Sequence, residues 1–140
     1  MATTGSNIRT YLLTKSAITD LIGTRLRPSS LAQTDTLPAM TYQELFTNHS
    51  YTLNSAAGIE ECWLELVCFA STRTATDNLA DVLRQQLQGF RGTAGNVEVI
   101  SSQLDDSGHG FEVPQDDSDA GKYRATLRFR ISVQETIPTF

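Results

Sequence analysis

The sequence predicts an α+β fold: a largely antiparallel β-sheet with helices packed on one of its faces. Three observations predict it. The segment 122–134, KYRATLRFRISVQ, alternates strictly, with Tyr123, Ala125, Leu127, Phe129, Ile131 and Val133 on one side. Lys122, Arg124, Thr126, Arg128, Arg130, Ser132 and Gln134 take the other, which is the pattern of a sheet covered on one side only. A second stretch, GIEECWLELVCFAST, also alternates: Cys62, Leu64, Leu66, Cys68 and Ala70 against Glu61, Trp63, Glu65, Val67 and Phe69. Immediately after it the period changes from two to 3.6, giving a helix whose Leu79, Val82, Leu83 and Leu87 form one apolar stripe.

The elements follow in order. Ile8, Tyr11 and Leu12 recur at helical spacing, with Ser6 as N-cap. Ser16 caps a second short turn carrying Ile18, Leu21 and Ile22, which Gly23 ends. A brief extended piece at Arg25 to Pro28 leads into a polar loop. Pro38 then opens a strand in which Met40, Tyr42, Glu44 and Phe46 alternate with Ala39, Thr41, Gln43 and Leu45. TNHSYTLNSAAG reads as a hairpin connection or mobile arm, from which the cysteine strand returns antiparallel. The helix starts near Thr74, with Asp77 favouring its positive end, shows Asp77, Asp81, Arg84, Gln85 and Gln88 to solvent, and stops at Gly89. NVEVISSQL is a strand, and residues 105–121 form a long acidic loop before the last strand. One domain spans 1–140, with a flexible N-terminal segment of about residues 1–6.

The two cysteines lie six residues apart. On a strand that spacing is about 20 Å, whereas a disulfide needs Cα atoms within about 7 Å. They can neither bridge nor share a metal, and read as small buried hydrophobes. A net charge of −5 argues against general phosphate-backbone binding, and no apolar run approaches the ~20 residues of a membrane span. The first residues lack a basic region followed by an apolar one, so no signal peptide is expected.

Few residues offer chemistry. Asp105, Asp106, Glu112, Asp116, Asp117 and Asp119 could bind calcium, and starting from Asp116 the required glycine falls at Gly121. Ala120 and Leu127 occupy ligand positions, so a solvated loop fits better. His49 and His109 have no cysteine or second histidine at ligand spacing. Gly108 and Gly110 precede no helix, and no serine sits in a nucleophile elbow. No enzyme, cofactor or metal is expected. The basic stripe Lys122, Arg124, Arg128 and Arg130 is the candidate interaction surface, either a solvated face or one that meets the acidic loop of a neighbouring subunit. No aromatic residues interleave with these arginines, which disfavours nucleic acid.

The order of several short motifs resembles the tail-completion, or tail-terminator, proteins of long-tailed bacteriophages. They are LIGTRLRP, then LPAMTYQ, a strand reaching CFAST, the helix ATDNLADVLRQQL, GFRGTAGNVEV, an acidic loop and a closing GKYRATLRFRISVQE. The resemblance covers Ile8 to Glu135. It implies a homo-oligomeric ring, usually a hexamer, that caps the tail tube and ends its elongation. Its partners would be the tail tube protein and the head connector, with genome DNA passing through the ring. Its place would be the head-proximal end of the tail, after assembly in the host cytoplasm. A head–tail connector ring of similar fold is the alternative, and a small enzyme or ligand-binding domain the third reading. No catalytic residue comes with the family.

Overall fold

A computed structural model of the chain describes residues 3–31, 35–51, 56–112 and 121–134. Helices α1 (Thr4–Leu12) and α2 (Ser16–Ile22) precede strands β1 (Leu26–Pro28), β2 (Ala39–Tyr51) and β3 (Ala56–Ala70). Helix α3 (Arg73–Leu87) follows, then strands β4 (Gly92–Ala94), β5 (Val97–Glu112) and β6 (Lys122–Gln134). The strands form one six-stranded sheet in the order β1-β2-β3-β6-β5-β4. Among the described residues only the short β1–β2 pair is parallel; the other pairs are antiparallel. The α+β class with one covered face is thus the observed one.

The core lies between the helices and the side of the sheet that the alternation marked as apolar. Cys62, Leu64, Leu66, Cys68 and Ala70 of β3 are buried, as are Ala125, Leu127, Phe129, Ile131 and Val133 of β6. Leu79, Leu83 and Leu87 close over them from α3, and Ile8 and Leu12 from α1. Tyr11 stacks on Phe90 at 4.0 Å between ring centroids. Its hydroxyl donates to the Gln86 carbonyl at 2.7 Å, joining α1 to the end of α3.

Several local expectations are corrected at the helix ends. Thr3, rather than Ser6, caps α1, accepting from the Ser6 amide at 3.2 Å. The Gly5 amide donates to the Glu44 carboxylate at 2.7 Å, so a partner 39 residues away holds this helix end. The first turn, residues 4–6, is therefore helical within the segment expected to be flexible. Lys15 occupies the N-cap of α2 without a side-chain bond, and Ser16 is its first helical residue. Thr72 caps α3 by accepting from the Ala75 amide, two residues ahead of the expected Thr74 start.

The largest correction concerns length. Residues 105–112, expected as loop, continue β5 and pair with β6 as far as Glu112 opposite Lys122. Their composition, DDSGHGFE, is poor for strands, and the regular β6 ladder overrides it. The expected connection beginning at Thr47 is likewise strand as far as Tyr51, and β3 starts at Ala56. Irregularities between Glu44 and Phe46 and between Leu104 and Asp106 shift the register on β2 and β5. The first places Leu45 in a bulge, so Phe46 lies opposite Trp63 on the outer face instead of following Tyr42.

Candidate interaction surface

Among the described residues no helix covers the outer face of the sheet, and there the charged residues meet. All of the basic stripe points outward from β6, at the centre of the sheet, with β3 on one side and β5 on the other. Arg128 donates through Nε to Glu65 Oε2 at 2.9 Å and reaches Asp106 Oδ2 through Nη1 at 3.4 Å. The Glu65 hydrogen bond, followed by the charge of Asp106, raises the guanidinium's pKa further above its ordinary value. Arg130 Nη2 donates to Gln103 Oε1 at 2.6 Å. Glu112 lies between Lys122 at 3.9 Å and Arg124 at 3.7 Å.

The stripe is thus the middle rail of a charge ladder within one chain. Its expected partners were the acidic residues of a neighbour, whereas Glu65, Asp106 and Glu112 of its own strands already face it. Asp105 sits in the bulge of β5, and Asp106 and Glu112 lie on the outer face. Asp116, Asp117 and Asp119 fall outside the described residues. Such a face carries little free positive charge, which disfavours binding phosphate by charge alone. Between the rails runs an open groove of about 650 Å³ lined by Thr41, Glu65, Val67, Asp106, Arg124 and Arg128, among others.

Two aromatic pairs stand clear of the core. Phe46, 53% exposed, stacks on Trp63 at 4.3 Å on the outer face. Phe111, 48% exposed, packs against Tyr123 at 4.8 Å where β5 and β6 extend past α3. Beside this second pair a groove of about 270 Å³ opens toward Arg73, Asp77 and His109. His109 Nδ1 lies 3.5 Å from Asp77 Oδ1, and Arg73 Nε 3.8 Å from Asp77 Oδ2. Sequence reasoning missed both pairs. The outward side of Trp63 was readable, but the bulge that brings Phe46 to it was not.

The thiols are chemically quiet. Burial pushes Cys68 up to about 12. Burial, aided by the Glu44 carboxylate, pushes Cys62 up to about 12 as well. Both are free, as the spacing required. Among the described residues no group of three or more His, Cys, Asp or Glu is placed to hold a metal ion.

The class defined so far is a one-sided α+β sheet whose outer face carries a paired charge ladder. No known family profile matches the sequence, and no curated protein does. Among solved structures, the chain is similar to one from the virion of a native gene transfer agent particle. The TM-score is 0.59 at 10% sequence identity, covering 86% of each chain. At that identity the likeness establishes the fold.

Proposed function

We propose that this protein is a structural component of a phage-like virion. Within that class we assign it the role of tail terminator: a ring, most simply of six copies, that caps the tail tube and joins it to the head connector. The observation that carries this reading is the fold likeness over 86% of both chains to a virion protein. The motif order of the sequence supports the narrower role. In such a ring the charge ladder of Lys122, Arg124, Arg128 and Arg130 with Glu65, Asp106 and Glu112 lies at a subunit or end contact, where it sets register more than affinity.

The test combines native mass measurement with a tube-capping assay. Purified protein should form a closed oligomer and stop elongation when added to growing tail tubes. Reversing Arg128 and Arg130 to Glu should hinder assembly and capping without unfolding the subunit, because Arg128 is exposed and Arg130 half-buried on a face no helix covers. A protein that stays monomeric and leaves tube length unchanged overturns the proposal. Binding to empty heads but not to tubes reassigns it to the connector.

A further inference from the structure

Two features of the surface lack a partner among the described residues, and they differ in shape. One is a knob: Phe46, stacked on Trp63 and more than half exposed. A sheet that needed Phe46 inside would have kept the alternation running through Leu45. The bulge instead turns it outward. The other is a recess of about 270 Å³ between the start of α3 and the extended β5–β6 ladder, walled by Phe111 and Tyr123 and rimmed by Arg73 and Arg124. That volume has room for a phenyl ring. Aromatic walls with guanidinium groups at the rim suit such a ring through edge and cation–π contacts.

Charge agrees with shape. On the knob's side Glu61 lies two residues before Trp63 on the same face, between Asn48 and Ser132, neither of which is charged. On the recess side Arg73 is 70% exposed and, among the described residues, held only by the loose 3.8 Å contact to Asp77. The two features also cannot meet in one molecule. Trp63 is level with Arg130 and Tyr123 with Ala70, so they stand seven residues apart along β6, roughly 23 Å. They also lie on opposite faces of the sheet.

We infer that the knob of Phe46 and Trp63 on one copy of this chain seats in the Phe111–Tyr123 recess of the next, with Glu61 meeting Arg73. Two different complementary patches give a head-to-tail contact that repeats in one direction, the kind that closes into rings. The contact deepens the ring reading above and rests on it only for closure. The aromatic pair supplies the anchor that the salt-sensitive charge ladder does not.

Cross-linking tests the contact, helped by the unreactive native thiols. Phe46→Cys and Phe111→Cys variants, oxidised separately, should stay uncoupled; mixed, they should give a covalent dimer. A chain carrying both should give a ladder of covalent oligomers. Phe46→Ala should weaken self-association at least tenfold with an unchanged far-UV circular dichroism spectrum, since the side chain lies outside the core. Glu61→Arg should weaken it too, and adding Arg73→Glu should restore it. Coupling within the Phe46→Cys sample alone means a symmetric contact and overturns the inference. An oligomer of normal stability from Phe46→Ala, with no mixed dimer, overturns it while leaving the ring reading intact. Mixed cross-links from open chains rather than closed rings uphold the contact and overturn the ring. A strictly monomeric native protein overturns both.

Discussion

Gly95, in the turn between β4 and β5, offers the most exacting test of how α1 is docked. Its φ is +57°, and a Cβ built there would overlap Asn7 Oδ1. That oxygen is already engaged: it accepts the Asn96 amide at 3.0 Å, and Asn7 is only 3% exposed. Gly89, at φ +78°, has nothing within 4 Å of the same position. Both glycines carry the left-handed penalty of about 1–2 kcal/mol for an added side chain, partly offset by about 0.4–1 kcal/mol of lost unfolded-state freedom. Gly89→Ala should therefore cost about 1 kcal/mol. Gly95→Ala should cost about 2–4 kcal/mol, because overpacking adds about 1–3. Asn7→Ala alone should cost about 1 kcal/mol, since Asn96 lies in an exposed turn where the freed amide can turn to water. In the double variant the overlap is gone, so Gly95→Ala should fall back toward the Gly89 value. Urea unfolding followed by Trp63 fluorescence and by circular dichroism measures all four. Equal costs at Gly89 and Gly95, or strict additivity in the cycle, would refute the reasoning.

On α3, Leu83→Ala should destabilise by about 2–5 kcal/mol, while Arg84→Ala, whose exposed side chain bonds Gln88 one turn on, should stay within about half a kcal/mol; chemical denaturation compares them. Thiol labelling of the native protein near neutral pH should be slow at both Cys62 and Cys68, and rapid modification would contradict their burial. Because both thiols are raised in the folded state to about 12, their contribution is intact below the unfolded value near 9. It should decline by about 1.4 kcal/mol per pH unit for each thiol as pH rises from 9 toward 12. An unfolding series from pH 8 to 11 that shows no such decline would count against the burial of these groups.

What was legible in the sequence followed from periodicity. The two faces of β3 and β6 and the buried stripe of α3 could be read residue by residue, since alternation and the 3.6 period are local properties. The failures share a different cause. At the start of α1 the Gly5 amide is met by Glu44, 39 residues away, which local spacing does not show. The acidic residues 105–112 became strand because β6 offers a complete ladder, and no local propensity reports a partner's regularity. For the site, the basic stripe was visible as a stripe. Its answering carboxylates were hidden, because pairing Glu65, Arg128 and Asp106 requires the register of three strands. Phe46 was placed on the wrong face for want of one bulge.

The ladder between β3 and β6 runs without a shift from Ile59 to Ala70, whereas β2 and β5, their outer neighbours, are each interrupted twice. Of the strand pairings in the sheet, this seam joins the segments farthest apart in sequence: Leu66 meets Leu127 across roughly sixty residues. The β2–β3 and β5–β6 pairs are sequence neighbours and can form in microseconds. The seam must wait until the intervening segment, α3 included, has been brought round. Folding speed should thus be governed by the meeting of two preformed ribbons, in the millisecond-to-second range of β-rich topologies. Until they meet, β3 and β6 are themselves open edges with an apolar face, and a crowded cell offers other strands to pair with. The most regular part of the finished sheet is therefore the part most exposed to error while the chain is being made.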